Sequence, residues 1–161
     1  MSSDESYIQQ ILQSNQYKEV NKTTRDILEA IRMYKGLKPI SDRFVFNNGT
    51  QKTLLSLTGT IPIRYKGSSY NIPVVIWLLD THPINAPMVF VNPTPDMRIK
   101  VSRYVDHNGK VYLPYLHEWT IANSDLLGLI QVLICTFSEQ PPVYAVPPGI
   151  PQPQPAMPSP K

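Results

Sequence analysis

Residues 109–119, GKVYLPYLHEW, have the outline of an enzyme loop: a glycine turn, a short apolar strand, a proline, then a histidine and a tryptophan. That outline suits the presentation of a nucleophile, yet its centre is Tyr112, and a phenol is a poor one at neutral pH. The single thiol, Cys135, lies elsewhere, on a segment expected to be a buried helix, where it reads as a small hydrophobe. His82, His107 and His117 have 24 and 9 residues between them and only isolated carboxylates such as Asp80 and Asp106 nearby, which matches no zinc-ligand spacing. His117, beside Glu118 and Trp119, is expected to be a structural donor. No glycine-rich phosphate cradle and no GxSxG elbow occur, and the carboxylates Asp80, Asp96, Asp106, Glu118 and Asp125 are dispersed. The residue types point to no catalytic group, no metal ligand set and no cofactor.

The elements that would position this loop fit one domain, since 161 residues with 42% hydrophobic content bury one core. Of the 17 prolines, 9 fall between Pro141 and Pro160, so the excess belongs to a tail: residues 1–146 are expected to form the domain and 147–161 a polyproline-type flexible tail. At the start of that segment, Val143 and Tyr144 of PPVYAV are candidates to dock on the domain. The net charge of +3 is scattered, which argues against a nucleic-acid arm, and the densest basic group, Arg98, Lys100 and Arg103, reads as a solvated loop or strand edge. Nothing resembles a signal peptide or a membrane span, and the lone cysteine suits a reducing, cytoplasmic setting.

Helical spacing of Tyr7, Ile8, Ile11 and Leu12 predicts a helix over 4–15, and Ile27, Leu28, Ile31 and Tyr34 predict a second, opened by a Thr23–Asp26 capping box and closed by Gly36. From Ile40 the pattern becomes β-prone, and NNGT and YKGSSY supply hairpin turns, so three antiparallel strands and a fourth, MVFV, form a meander. Residues 98–123 read as a long packed loop. A last helix starts at a cap on Asn123 or Ser124 and is apolar nearly all round, hence buried. Tyr65 and Tyr70 flank the second turn, and Met97 follows a proline-rich stretch. They are either cross-strand packing or one wall of an apolar groove for extended proline-containing peptides.

This order resembles the α+β ubiquitin-conjugating-enzyme (E2) fold: a four-stranded antiparallel meander packed on helices, here with an extra N-terminal helix. VIWLLDTHPINAP is similar to the E2 segment ending Tyr-Pro-x-x-Pro-Pro, with His82 for the tyrosine and Ala86 in the proline pair. NGKVYLPYLHEWT is similar to the stretch that carries the E2 cysteine. There Gly109, Val111, Leu113 and Trp119 match and Tyr112 occupies the cysteine's place. LTGTIPIRYKGSSYNIPVVIWLLD, VDHNGKVYLPYLHEW, SDLLGLIQVLI and EQPPVY together resemble the ubiquitin E2 variant (UEV) domain of the ESCRT-I tumour-susceptibility or vacuolar protein sorting subunit.

The resemblance implies a non-catalytic module that binds ubiquitin and Pro-Thr/Ser-Ala-Pro late-domain peptides of adaptor and viral Gag proteins, in sorting to multivesicular bodies and in budding. It implies recruitment to endosomal membranes, other ESCRT-I subunits as partners and a coiled coil beyond this segment. The alternative is a cofactor that pairs with an active E2 to direct ubiquitin chain formation. The implied peptide site is Thr60, Tyr65, Tyr70, Asn71, Ile72, Pro73, Val91, Thr94, Met97, Pro141, Val143 and Tyr144. Ala145 falls where close relatives carry serine. The implied ubiquitin site is Val45, Phe46, Asn47 and Asn48 on the first hairpin, with Trp77 and Phe90, and Asn48 stands where relatives have aspartate. As strand aromatics, Phe46 and Trp77 also read as core residues.

Overall fold

A computed structural model describes residues 3–146 of the chain, and the tail expected over 147–161 lies outside them. Two helices, α1 (Ser3–Ser14) and α2 (Val20–Met33), lead into a sheet of β1 (Leu37–Val45), β2 (Gln51–Tyr65), β3 (Ser68–Leu78) and β4 (Met88–Val91). The strands pair antiparallel in the order β1-β2-β3-β4, which is the expected meander. Then follow β5 (Met97–Ile99), the short α3 (Pro114–His117), α4 (Leu126–Glu139) and β6 (Val143–Ala145), which pairs with β5. The stretch 98–123 is therefore less irregular than its sequence suggests. β5 forms there because its partner, β6, lies more than forty residues downstream, beyond any local periodicity.

The two-residue period of a strand decides what each sheet face does. On one face Leu55, Leu57, Ile61 and Ile63 of β2 meet Ile72, Val74, Ile76 and Leu78 of β3, all buried. Against this face α4 packs Leu126, Leu129, Ile130, Leu133 and Phe137. Its other residues are less covered than an all-round apolar helix predicts, and Cys135 is exposed, because only one side of α4 meets the sheet.

The helix ends also differ from expectation. Thr23 lies a full turn inside α2, and its hydroxyl donates to the His82 carbonyl, so no capping box exists. Asp26, its supposed partner, accepts from His82 Nε2 at 2.7 Å and from the Leu126 backbone N–H at 3.0 Å. The N-cap of α4 is Asp125, whose carboxylate accepts from Gly128 N–H at 2.7 Å, in place of Asn123 or Ser124. Gly36 lies past the end of α2 at a crossing of backbones: a Cβ at Gly59 would sit 1.8 Å from the Gly36 carbonyl, which accepts from Thr60 N–H.

The loop around Tyr112 is fastened along β4. Val91 N–H donates to the Gly109 carbonyl at 2.7 Å and Val111 N–H to the Val89 carbonyl at 2.9 Å. Gly109, at φ +87°, is required there, since a Cβ would lie 2.6 Å from the Val91 carbonyl.

Tyr17, 5% exposed, ties the N-terminal helices to the sheet: its hydroxyl donates to the Leu78 carbonyl and accepts from Leu55 N–H at 2.8 Å, at the end of the β2–β3 ladder. Burial pushes the phenol's pKa well up, so it is held as a neutral donor. Tyr17→Phe leaves both backbone groups unpaired and is expected to lower the unfolding free energy by about 1–3 kcal/mol in urea denaturation. An unchanged midpoint would mean that water replaces the hydroxyl.

Candidate functional site

The β2–β3 hairpin projects beyond the helices, and its tip leaves core-face residues without a helix above them. Tyr65 continues the face of Ile61 and Ile63, while Tyr70, paired with Ile63, continues that of Ile72. The opposite wall is the β5–β6 pair, with Met97, Val143, Tyr144 and Ala145, and Pro141 closes one side. β6 is held by its ladder to β5 and by Val146 N–H donating to the Asp96 carbonyl at 2.9 Å. Between the walls lies a cavity of about 520 Å³, lined by Ile63, Tyr65, Ser69, Tyr70, Asn71, Ile72, Met97, Pro141, Val143, Tyr144 and Ala145. Tyr70 and Tyr144 are each half exposed. Aromatic faces with polar rims and no charged lining suit a neutral, extended, apolar ligand.

Of the twelve residues expected here, Tyr65, Tyr70, Asn71, Ile72, Met97, Pro141, Val143 and Tyr144 come together, and four do not. Thr60 and Pro73 pair with each other across β2 and β3, and strand alternation turns them to the face away from Tyr65 and Tyr70. Val91 is buried at 3% exposure, and the Thr94 hydroxyl donates to the Asp96 carboxylate outside the cavity. Ile63 and Ser69 are lining residues absent from the expected set, and Ala145, noted only for standing where relatives carry serine, lines the cavity too. Alternation from Tyr65 finds Ile63, and proximity to the turn finds Ser69.

A second grouping occupies the other sheet face at the first hairpin's end. Phe44 sits at its centre, with ring centroids 4.9 Å from Phe46, 5.1 Å from Trp77 and 6.3 Å from Phe90. All four are partly buried, and Phe46 and Trp77 each pack on Phe44 at the margin of the core while part of their surface stays exposed. Phe44, absent from the expected set, was readable from its spacing of two from Phe46. Val45 is 56% exposed, and Asn47 and Asn48 are exposed in the turn. The Asn48 side-chain oxygen accepts from Thr50 N–H at 3.0 Å and from the Thr50 hydroxyl at 2.7 Å, a local turn bond that shapes the hairpin tip.

At Tyr112 the geometry opposes nucleophilic chemistry. The phenol is half exposed and donates to Asp106 Oδ2 at 3.0 Å. That hydrogen bond first, then burial and the Asp106 charge, hold its pKa above the ordinary value. Asp106 experiences burial that works against ionisation, but the N–H of Lys110, the Tyr112 hydroxyl, the N–H of Asn108 and nearby His107 outweigh it and lower its pKa. Beside Tyr112 a cavity of about 630 Å³ is lined by Met88, Leu113, Leu116 and His117 among others. His117 is exposed there with no side-chain hydrogen bond to a described residue, so it is not the structural donor expected; Trp119 takes that part, donating to the Pro83 carbonyl at 2.8 Å. No cluster of metal-ligating side chains occurs among the described residues.

Residues 8–145 match the family model of the UEV domain. Human Tumor susceptibility gene 101 protein is 50% identical over 147 residues, 91% of this chain and 37% of that protein. Protein ELC of Arabidopsis thaliana is 42% identical over 132 residues, 80% of this chain and 33% of that protein. The chain thus spans about a third of the length of these relatives. The yeast Vps23 UEV domain, solved in complex with a Vps27 PSDP peptide, has a TM-score of 0.75 at 26% identity, over 94% of this chain and 95% of that one. The Vps23 UEV solved with ubiquitin has a TM-score of 0.67 at 27% identity, over 82% and 91%.

The Tyr112–Asp106 bond is open to titration. Because the folded pKa of Asp106 is lowered, its contribution to stability is present above the unfolded-state value of about 3.9 and is lost as pH falls through the folded value. Tyr112→Phe is expected to move the Asp106 carboxyl titration, followed by carbon NMR, upward towards about 3.9. A midpoint that stays in place would show that the bond does not form in solution.

Proposed function

This chain belongs to the UEV family, E2-like variants without a catalytic cysteine, and on that premise we propose that it is a recognition module: it binds ubiquitin on the aromatic face of its sheet and proline-containing peptides in the groove at the far hairpin. The observation that carries this reading is the groove, where Tyr65 and Tyr70 face Val143 and Tyr144 across an uncharged cavity. A proline arrives with its φ already fixed, so it loses little entropy on entering an aromatic slot. Affinities for so small a contact fall roughly in the micromolar to millimolar range. The peptide class is Pro-Thr/Ser-Ala-Pro and its variants. The yeast relative's Pro-Ser-Asp-Pro ligand and the relatives matched favour the sorting reading over that of a cofactor for an active E2.

The sites use opposite faces of β2, whose 15 residues run from the turn of the first hairpin to the groove. At about 3.3 Å per residue the two hairpin turns lie roughly 45 Å apart along the strand, and where Trp77 and Phe90 bring the aromatic cluster closer to the groove the sheet itself separates the two faces, so both ligands can be held at once. Two weak contacts on one rigid domain suit capture of ubiquitinated cargo on endosomal membranes, where clustered ligands multiply affinity. In that role the domain works beside other ESCRT-I subunits.

Amide-shift titrations with ubiquitin and a Pro-Thr-Ala-Pro peptide test both halves. Tyr144→Ala is expected to weaken the peptide by tenfold or more and spare ubiquitin, and Val45→Asp to do the reverse. Saturable shifts absent from both regions would sink the proposal, and loss of both ligands in either variant would sink the independence of the sites.

A further inference from the structure

Building on the reading of the groove as a peptide site, we infer that it selects proline-containing peptides that carry an acidic residue on one flank, through two cations at the hairpin tip. The lining itself holds no charged side chain, so it offers nothing to a charge within the motif. The tip differs. Arg64 leaves β2 on the face opposite Tyr65, as Thr60 does, but it lies along the turn: its guanidinium is 3.3 Å from the hydroxyl oxygen of the lining residue Ser69 and donates to the Gly67 carbonyl at 3.2 Å. Lys66 holds its ammonium 5.3 Å from the centroid of the Tyr65 ring, which is part of the groove wall. Both residues are exposed, and neither forms an ion pair with a described carboxylate. Two like charges held at the hairpin tip, beside Ser69 and Tyr65 of the lining, set a positive potential next to the end of the groove.

The Arg64 anchor matters most. Its two hydrogen bonds fix the guanidinium plane, so less side-chain entropy is lost when a carboxylate meets it than for a freely rotating cation. Lys66 occupies a left-handed backbone position, φ 50°, next to Gly67, which sets the direction in which its stem leaves the turn. The contacts are exposed and therefore salt-sensitive: screening acts over about 10 Å at 0.1 M ionic strength.

The test compares three synthetic peptides on the intact chain by fluorescence anisotropy: Pro-Thr-Ala-Pro with neutral flanks, with two glutamates before it, and with two glutamates after it. One acid-flanked peptide is expected to bind roughly 2- to 5-fold more tightly than the neutral one in low salt, with the advantage shrinking as salt rises. In the double variant Arg64→Gln, Lys66→Asn, the ratio of the two affinities is expected to collapse towards one; asparagine tolerates the left-handed position, so the turn is kept. Equal affinities for all three peptides, or a ratio that survives in the double variant, would overturn the inference and leave the groove standing. If no peptide binds the native chain at all, the groove reading fails and this inference fails with it.

Discussion

Both oxygens of the Asp26 carboxylate are committed to groups far away in sequence: one meets His82 Nε2, 56 residues on, and the other meets the Leu126 N–H, 100 residues on. Three elements thereby share one anion. α2 supplies it, the connection after β3 presents the histidine, and α4 begins with a backbone N–H whose orphan state would otherwise persist in a nearly buried place. His82 is fully buried, and its carbonyl in turn accepts from Thr23, so the same helix grips both ends of that residue. An alanine at position 26 would leave the His82 ring nitrogen and the Leu126 N–H without a partner, and the burial of each makes such a loss expensive. The packing of α4 on the sheet depends on where this knot sets its first turn.

From that fixed start, α4 covers only part of the sheet's inner face. It closes over Ile61 and Ile63 and ends by Ser138, whose hydroxyl accepts from Arg64 N–H. Everything past that point on the hairpin is uncovered, which is why Tyr65 and Tyr70 face a groove and not a core. β6 then returns to form the groove's second wall, so a strand far downstream of the hairpin lines the same cavity. Among the described residues no helix covers the outer face, and its aromatics meet one another edge to face in a cluster centred on Phe44.

How much of this was legible beforehand follows the range of the interactions. The meander was readable because turn chemistry and alternation are local: NNGT and YKGSSY mark their own hairpins. The groove tyrosines were readable for the same reason. Thr60 and Pro73 enter the expected site by likeness of motif, which carries no strand parity, and the cavity as formed does not include them. Thr23 and Asp26 look like a local capping box, yet both side chains bond to residues more than fifty positions away, and no spacing rule reports that. Phe44 was passed over although its alternation with Phe46 was in view. Cys135 is exposed on a helix whose composition implies burial, because composition says how apolar a helix is, not how much of it a neighbour covers.

The fastening of residues 109–111 to β4 has a consequence for solubility. β4 is the last strand of the sheet, and its outward N–H and C=O groups would otherwise form a template on which another chain could lay a strand. Gly109 and Val111 occupy those groups with hydrogen bonds of their own. A loop that has no thiol to present still guards the edge of the sheet, and Gly109 is indispensable to that guard because no other residue lets the two backbones meet.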